Sequence, residues 1–199
     1  MNETAKSRFF LLLSLLLGFL VASCSQGPQQ DPPLKGAAIG GPFTLIDQNG
    51  KQVRDQDFAG KYRIVYFGFA HCPDVCPTDL AQIGQALRSM EKSDPALAAK
   101  IQPIFITVDP ERDTPAVLKD YVAAFHPRLI GLTGSPQQIA DAAKRYAVYY
   151  AKEPTPDGSY TMNHGRILFL MGPDGAPIAM LPHENGAEAI AAELKRWVR

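Results

Sequence analysis

The sequence predicts an α/β layer structure, a mixed sheet with helices on its faces, and three observations carry that prediction. Apolar runs of strand length, rich in β-branched and aromatic residues, alternate with stretches whose apolar residues recur at helical spacing. Turn residues stand where the chain must reverse, at Asn49-Gly50 and at Gly172-Pro173-Asp174-Gly175. The second of these turns lies between two short apolar runs, so antiparallel strands join an otherwise parallel order.

The elements follow in turn. Phe43-Thr-Leu-Ile and Lys51-Gln-Val form a hairpin around Asn49-Gly50. Residues 63–69, RIVYFGF, have the composition of a central strand buried on both faces. Cys72 lies just beyond its end, and Leu80, Ile83, Gly84 and Leu87 then recur at helical spacing, which puts Cys76 near an N-cap and Pro77 at the first helical position. Residues 101–108 form a second buried strand, with Thr114 as the N-cap of the next helix and Pro115 at its first position. A short strand at residues 129–132 precedes Ser135-Pro136-Gln137-Gln138, a capping box that opens a third helix running to about Tyr146. Residues 166–171 and 178–181 make the late hairpin, and residues 187–198 close the chain as an amphipathic helix. Strands alternating with helices, plus a terminal hairpin, indicate a thioredoxin-like fold with a mixed central sheet and flanking helices.

At 199 residues and 46% hydrophobic the chain is expected to bury one ordinary core. Lys and Arg together number 20, as do Asp and Glu, so there is no basic excess to displace counterions from nucleic acid, and nucleic acid is not an expected partner. Lys6 and Arg8 precede an apolar run at residues 9–22, shorter than the ~20 residues of a comfortable membrane span. Residues 1–23 therefore read as a signal peptide. Val21-Ala22-Ser23-Cys24 resembles the lipobox of bacterial lipoproteins, which makes Cys24 the expected lipidation site and the folded part extracytoplasmic, facing the periplasm or the outer face of the cell membrane. Ser25 after Cys24 resembles the signal for onward transport to an outer membrane. Residues 25–41, rich in Gln, Pro and Gly, read as a tether, so residues 24–41 are the lipidated start and flexible linker and residues 42–199 the folded domain.

Apart from Cys24, the only thiols are Cys72 and Cys76. On a regular helix, side chains four residues apart have Cβ atoms about 6 Å apart, whereas a disulfide needs about 3.8 Å. With Cys72 in the loop before the helix and Pro73 discouraging helical geometry there, the loop can fold back, so the pair is expected to open and close. The positive end of the helix favours thiolate at Cys76. Two thiolates suit Cu(I) or Zn(II) but leave either metal under-coordinated, so a third ligand is needed from His71, His126, His164 or His183. His71 adjoins Cys72 and is expected to point away. His126 reads as the exit of a helix and His183 as part of a polar loop. His164 is the best placed, opening the strand at residues 166–171 after a polar, Gly-containing segment, with surface or packing roles as the alternative.

FGFAHCPDVCP (residues 67–77), FITVDPERDTP (105–115) and YTMNHGRILFLMGPDG (160–175), in that order, resemble the Sco/SenC family of copper-binding proteins associated with cytochrome c oxidase assembly. The resemblance runs from Phe43 to Arg199. It implies a thioredoxin-like fold with an added β-hairpin, copper, Cu(I) or Cu(II), held by Cys72, Cys76 and His164, and a membrane-tethered monomer that delivers copper to the subunit with the dinuclear copper centre of the oxidase or to another copper protein. Two neighbours of the histidine depart from the family pattern: Asn163 stands where an aspartate is usual, and Gly165 where serine or threonine is.

Several residues have plainer readings. Asp109, Glu111, Arg112 and Asp113 serve as a strand-to-helix turn and helix cap, Asp74 as a residue that steers a cationic partner or only solvates the loop, Phe67, Phe69, Tyr149 and Tyr150 as core or pocket wall, and Met162 as a packing residue rather than a fourth ligand. The competing functions are a thiol-disulfide oxidoreductase acting on partner cysteines, although C-x3-C departs from the usual C-x2-C, and a copper or redox sensor. A peroxidase ranks last, because Pro73 stands where the peroxide-binding threonine would be.

Overall fold

The computed structural model describes residues 30–199. The expected signal peptide and Cys24 lie outside the described residues. Pro32–Arg199 forms one compact unit. No helix among the described residues is long and apolar enough to cross a membrane.

Seven strands make the main sheet: β1 (Thr44–Asp47), β2 (Gln52–Arg54), β3 (Tyr62–Gly68), β4 (Ile101–Thr107), β5 (Ile130–Thr133), β8 (Leu168–Met171) and β9 (Pro177–Met180), in the spatial order β2-β1-β5-β4-β3-β8-β9. β3, β4 and β5 are parallel, and β1, β8 and β9 join antiparallel, which is the mixed thioredoxin-like sheet expected. β3 and β4 lie at its centre because both faces of their apolar runs are covered: Ile64, Val65, Tyr66, Phe67, Ile104, Phe105 and Ile106 are all buried. The helices are α1 (Val75–Ser93), the single turn α2 (Pro95–Ala98), α3 (Pro115–Ala123), α4 (Pro136–Arg145) and α5 (Gly186–Trp197). The expected caps are in place: the Thr114 hydroxyl accepts from the Val117 N–H, and Ser135 with Gln138 forms a reciprocal capping box, each with proline opening the helix.

The chain departs from expectation in three places. Helix α1 starts at Val75 rather than Pro77. Pro77 is tolerated at the third helical position because the N–H it lacks would have had no partner within the helix. Residues 32–41, expected as part of the tether, lie against the domain: the Leu34 N–H donates to the Ile178 carbonyl at 3.0 Å, the Gly40 N–H to the Arg145 carbonyl at 2.8 Å, and Leu34 and Ile39 pack on the core. Their polar composition concealed two apolar residues placed to use that surface. The third departure is a separate two-stranded ribbon, β6 (Tyr150–Pro154) with β7 (Tyr160–His164), in a segment whose polar residues gave no alternation to read. His164 therefore ends β7, paired with Tyr150, instead of opening β8.

Candidate metal centre

The parallel register pairs Gly68 with Thr107, so the chain leaves β3 and β4 at the same edge of the sheet. FGFAHCPDVCP and FITVDPERDTP thus form neighbouring loops at the carboxyl ends of central strands, where α/β sheets commonly place their sites. Asp113 ties the two loops together. Its carboxylate accepts from the Ala70 N–H at 2.9 Å and from the Thr107 hydroxyl at 2.6 Å, and it faces His71 Nδ1 at 3.3 Å. Burial pushes the Asp113 carboxyl up, against the pull of these donors. His71 is half exposed and turned to Asp113, away from the thiols as expected.

Cys76 occupies the second position of α1 and is fully buried; Cys72 is partly exposed in the preceding loop, and both are free thiols. The Asp74 side chain makes no capping bond to the helix. Instead, Cys72 Sγ accepts from the Cys76 N–H at 3.5 Å, so the first thiol sits over the start of the helix that carries the second. Gly68 makes room for this arrangement, because a Cβ there would come within 3.0 Å of Cys76 Sγ and 2.9 Å of the Phe105 ring. The expected thiolate at Cys76 is overturned: burial, the largest effect, pushes its thiol up to about 12, despite a Phe69 backbone hydrogen bond that favours the charged form. Desolvation outweighs the helix end because the sulfur has no solvent contact.

His164 reaches this pair from the ribbon. Its Nε2 lies 3.4 Å from Cys76 Sγ, although 88 residues separate the two. Nδ1 lies 3.1 Å from the Gly165 carbonyl, a contact that selects the tautomer with the proton on Nδ1 and the Nε2 lone pair aimed at the sulfur. The ring stands edge-on between Tyr66 and Phe69, with centroids 6.4 and 5.9 Å away. Burial lowers the His164 pKa, which keeps the imidazole neutral and able to act as a ligand. Among the described residues no three His, Cys, Asp or Glu side chains already converge closely enough to hold an ion. Cys76 is the residue that both others approach: His164 Nε2 meets its sulfur and Cys72 Sγ meets its N–H.

The ribbon is seated by the DPERDTP loop, which does more than the turn and cap expected of it. Arg112 pairs with buried Asp109, donates to the Tyr160 carbonyl at 2.9 Å, and stacks 3.8 Å from the Tyr160 ring centroid. The Tyr160 hydroxyl donates to Asp109 at 2.9 Å, and Lys152 pairs with Glu111 at 2.6 Å. Asn163, exposed, donates to Glu153 across the ribbon at 2.9 Å. Gly165 donates its N–H to the Tyr149 carbonyl at 2.9 Å, and a Cβ there would meet nothing closer than 3.9 Å, so its lack of a side chain is not a steric requirement.

The other candidates lie apart from the thiols. His126 is buried beside Glu91 and Arg128, His183 sits in a short 3-10 turn, and Met162 is a buried packing residue. Phe67 and Phe69 are core and Tyr150 packs against it, whereas Tyr149 is 66% exposed. Sequence reasoning missed Asp79 and Arg166. Asp79 is wholly buried on α1 and accepts from Arg166 Nε at 2.7 Å, Arg166 Nη2 at 2.6 Å and the Tyr66 hydroxyl at 2.9 Å. The available signal was a carboxylate on the apolar stripe of a helix that also carries Cys76, Leu80 and Ile83.

Comparison with known proteins matches residues 31–199 to the family model described as SCO1/SenC. The copper-bound structure of Bradyrhizobium japonicum ScoI is 49% identical, with a TM-score of 0.73, covering 80% of this chain and 99% of that one. The Arabidopsis thaliana protein SCO1 homolog 1, mitochondrial, is 44% identical over 146 residues, which are 73% of this chain but 43% of that protein, so the chain spans less than half of this relative's length. BsSco, described as a member of the Sco family of cytochrome c oxidase assembly proteins and as having a disulfide switch, is 28% identical with a TM-score of 0.60, covering 78% of this chain and 90% of that one. A thioredoxin domain of a Bacteroides vulgatus thiol-disulfide oxidoreductase, at 17% identity and a TM-score of 0.58 over 81% of this chain and 96% of that one, shares the fold alone.

Proposed function

Because the chain belongs to the SCO1/SenC family, we propose that it is a copper chaperone, holding one copper ion through Cys72, Cys76 and His164 and passing it to the subunit that carries the dinuclear copper centre of cytochrome c oxidase. The observation that carries this reading is the 3.4 Å approach of the neutral His164 Nε2 to Cys76 Sγ at the mouth of the CPDVC loop. Two thiolates and an imidazole give Cu(I) a trigonal set dominated by soft sulfur, and Cu(II) uses the same donors with the nitrogen more strongly engaged. Cys76, protonated in the metal-free protein, gives up its proton to bind, so uptake strengthens as pH rises. Exchange with an oxidised partner disulfide, which takes the two electrons and two protons and leaves as a dithiol, closes a bridge between Cys72 and Cys76, removes both sulfur ligands and releases the ion. The short apolar run and Cys24 support a lipid anchor that holds a monomeric domain at the extracytoplasmic face of a membrane.

A second reading, thiol-disulfide exchange with a partner, is favoured by one observation: Cys72 is partly exposed while Cys76 is buried beneath it, the asymmetry expected of an attacking and a resolving thiol. The two readings separate on metal. The test is copper bound per reduced protein, with X-ray absorption of the ligand shell and transfer to a soluble copper-centre subunit. One copper with sulfur and nitrogen ligands is expected. Either cysteine changed to serine should weaken Cu(I) binding far more than His164→Ala, because Cu(I) can stay two-coordinate between sulfurs. Full copper occupancy in the Cys72→Ser/Cys76→Ser double variant, or a shell without sulfur, overturns the proposal.

A further inference from the structure

Residues near the thiols that no ligand role absorbs include a charged pair that links the two halves of the site. Asp79 stands three residues after Cys76, on the same face of α1. Arg166 stands two residues after His164, on the stretch joining β7 to β8. The two meet through a bidentate fork, with N–O distances of 2.7 and 2.6 Å, and the Tyr66 hydroxyl of β3 completes the set on the same carboxylate. Helix, ribbon exit and central strand thus converge on one buried group.

We infer that Arg166 is a positioning residue, which through its fork on Asp79 holds the His164 imidazole over Cys76. The inference rests on the reading of His164 as a copper ligand and adds a device that sets its orientation. Three features of the geometry support it. The planar guanidinium fixes both distance and angle to a carboxylate that is wholly buried, so the pair resists rotation in a way a single hydrogen bond does not. Tyr66, held by the same carboxylate, presents the edge-on ring that bounds His164 on one side. Gly165, between His164 and Arg166, meets the imidazole through its carbonyl, 3.1 Å from Nδ1, but has no side chain to anchor the stretch that carries that carbonyl. The flanking residue supplies that anchor, because Arg166 reaches into the protein to Asp79, three residues past Cys76.

The test uses two readouts. In the metal-free protein labelled with 15N-histidine, the parent should show His164 as one neutral tautomer, protonated on Nδ1. Arg166→Ala and Asp79→Asn should give averaged ring signals, and Arg166→Lys, which keeps the charge but loses the fork, should restore them only in part. Arg166→Ala strands the Asp79 charge, so the Asp79→Leu/Arg166→Leu pair is made as well, leaving no unpaired buried ion. The second readout is copper. Cu(II) affinity should fall by about 10- to 100-fold in the variants, as for other groups that orient a ligand, with an altered Cu(II) electron paramagnetic resonance signature, while Cu(I), held chiefly by sulfur, changes much less. Folded variants whose ring signals and Cu(II) affinity match the parent overturn the inference. A parent whose copper shell lacks nitrogen overturns the ligand reading instead, and the metal-free ring signals then decide on their own whether Arg166 orients His164.

Discussion

The two regions that meet at the candidate metal centre are built in opposite ways. The thiols come from a loop and helix start rooted in the middle of the sheet, where β3, β4 and the inner face of α1 are buried almost without exception. The histidine comes from the β6-β7 ribbon, a two-stranded element outside that sheet with most of its side chains exposed or half exposed. A lone two-stranded ribbon has little stability of its own. Its position depends on polar contacts at its rim, with Arg112 and Lys152 around Tyr160 on one side and the Arg166–Asp79 pair at its exit. A rigid half that fixes the sulfurs faces a seated half that fixes the nitrogen, so the two should respond differently to mutation and pH.

The largest effect should come from breaking the rigid half. Leu80 is wholly buried on α1, one turn past Cys76, and Leu80→Ala should cost about 2–5 kcal/mol of global stability in urea unfolding, as a cavity in a packed core does. An equally large loss from truncating an exposed ribbon residue would abolish the contrast.

Titration sharpens it next. In the metal-free protein Cys76 is pushed from its ordinary 9.0 to about 12. Between those values the unfolded chain has lost the proton while the folded chain keeps it, so stability should fall as pH rises, by up to about 1.4 kcal/mol per unit. Below 9 this contribution disappears. His164 gives the opposite limb: burial lowers its pKa, so as pH falls below its ordinary 6.5 the unfolded chain takes up a proton that the folded chain resists, and stability declines toward acid. Urea midpoints across pH measure both limbs. Cys76→Ser should remove the alkaline limb's onset between 9 and 10 and leave its continuation above 10, where Tyr66, Tyr121 and Tyr146 are also raised by burial; the acid limb, which His126, also lowered by burial, shares, should be unchanged.

The smallest effect should be confined to the seated half. Tyr160→Phe keeps the ring under Arg112 and Lys152 but loses the hydroxyl bond to Asp109, worth about 1 kcal/mol, or roughly fivefold faster amide exchange. The acceleration should be seen over residues 150–164 and be absent from β3 and α1. Exchange that speeds up everywhere would mean that the ribbon and sheet open as one unit.

Much of this was legible beforehand because its causes are local. Buried strands declare themselves by continuous apolar composition, as at residues 63–68 and 101–107, and helix starts by their caps, as at Thr114 and Ser135. That His164 would lie near the Cys72–Cys76 loop was expected from donor chemistry and family resemblance, and its Nε2 does approach Cys76 Sγ. What escaped notice lacked a local signal. The ribbon's residues carry no apolar alternation, since only Met162 within it is buried, and residues 32–41 look like linker until Leu34 and Ile39 find the domain surface.

By itself the sequence determined the main-sheet strands and their flanking helices, the caps at Thr114 and Ser135, and which side chains could ligate a soft metal, because each of these follows from residues within a few positions of one another. Only the tertiary structure decided that Cys76 would be a buried thiol rather than an exposed thiolate, that Asp79 would meet Arg166 across 87 residues, and that His164 Nε2 would face Cys76 rather than water. Those outcomes depend on which distant surfaces exclude solvent from a group, and burial and long-range pairing come from the packing of the whole sheet and its ribbon, not from any short stretch of chain.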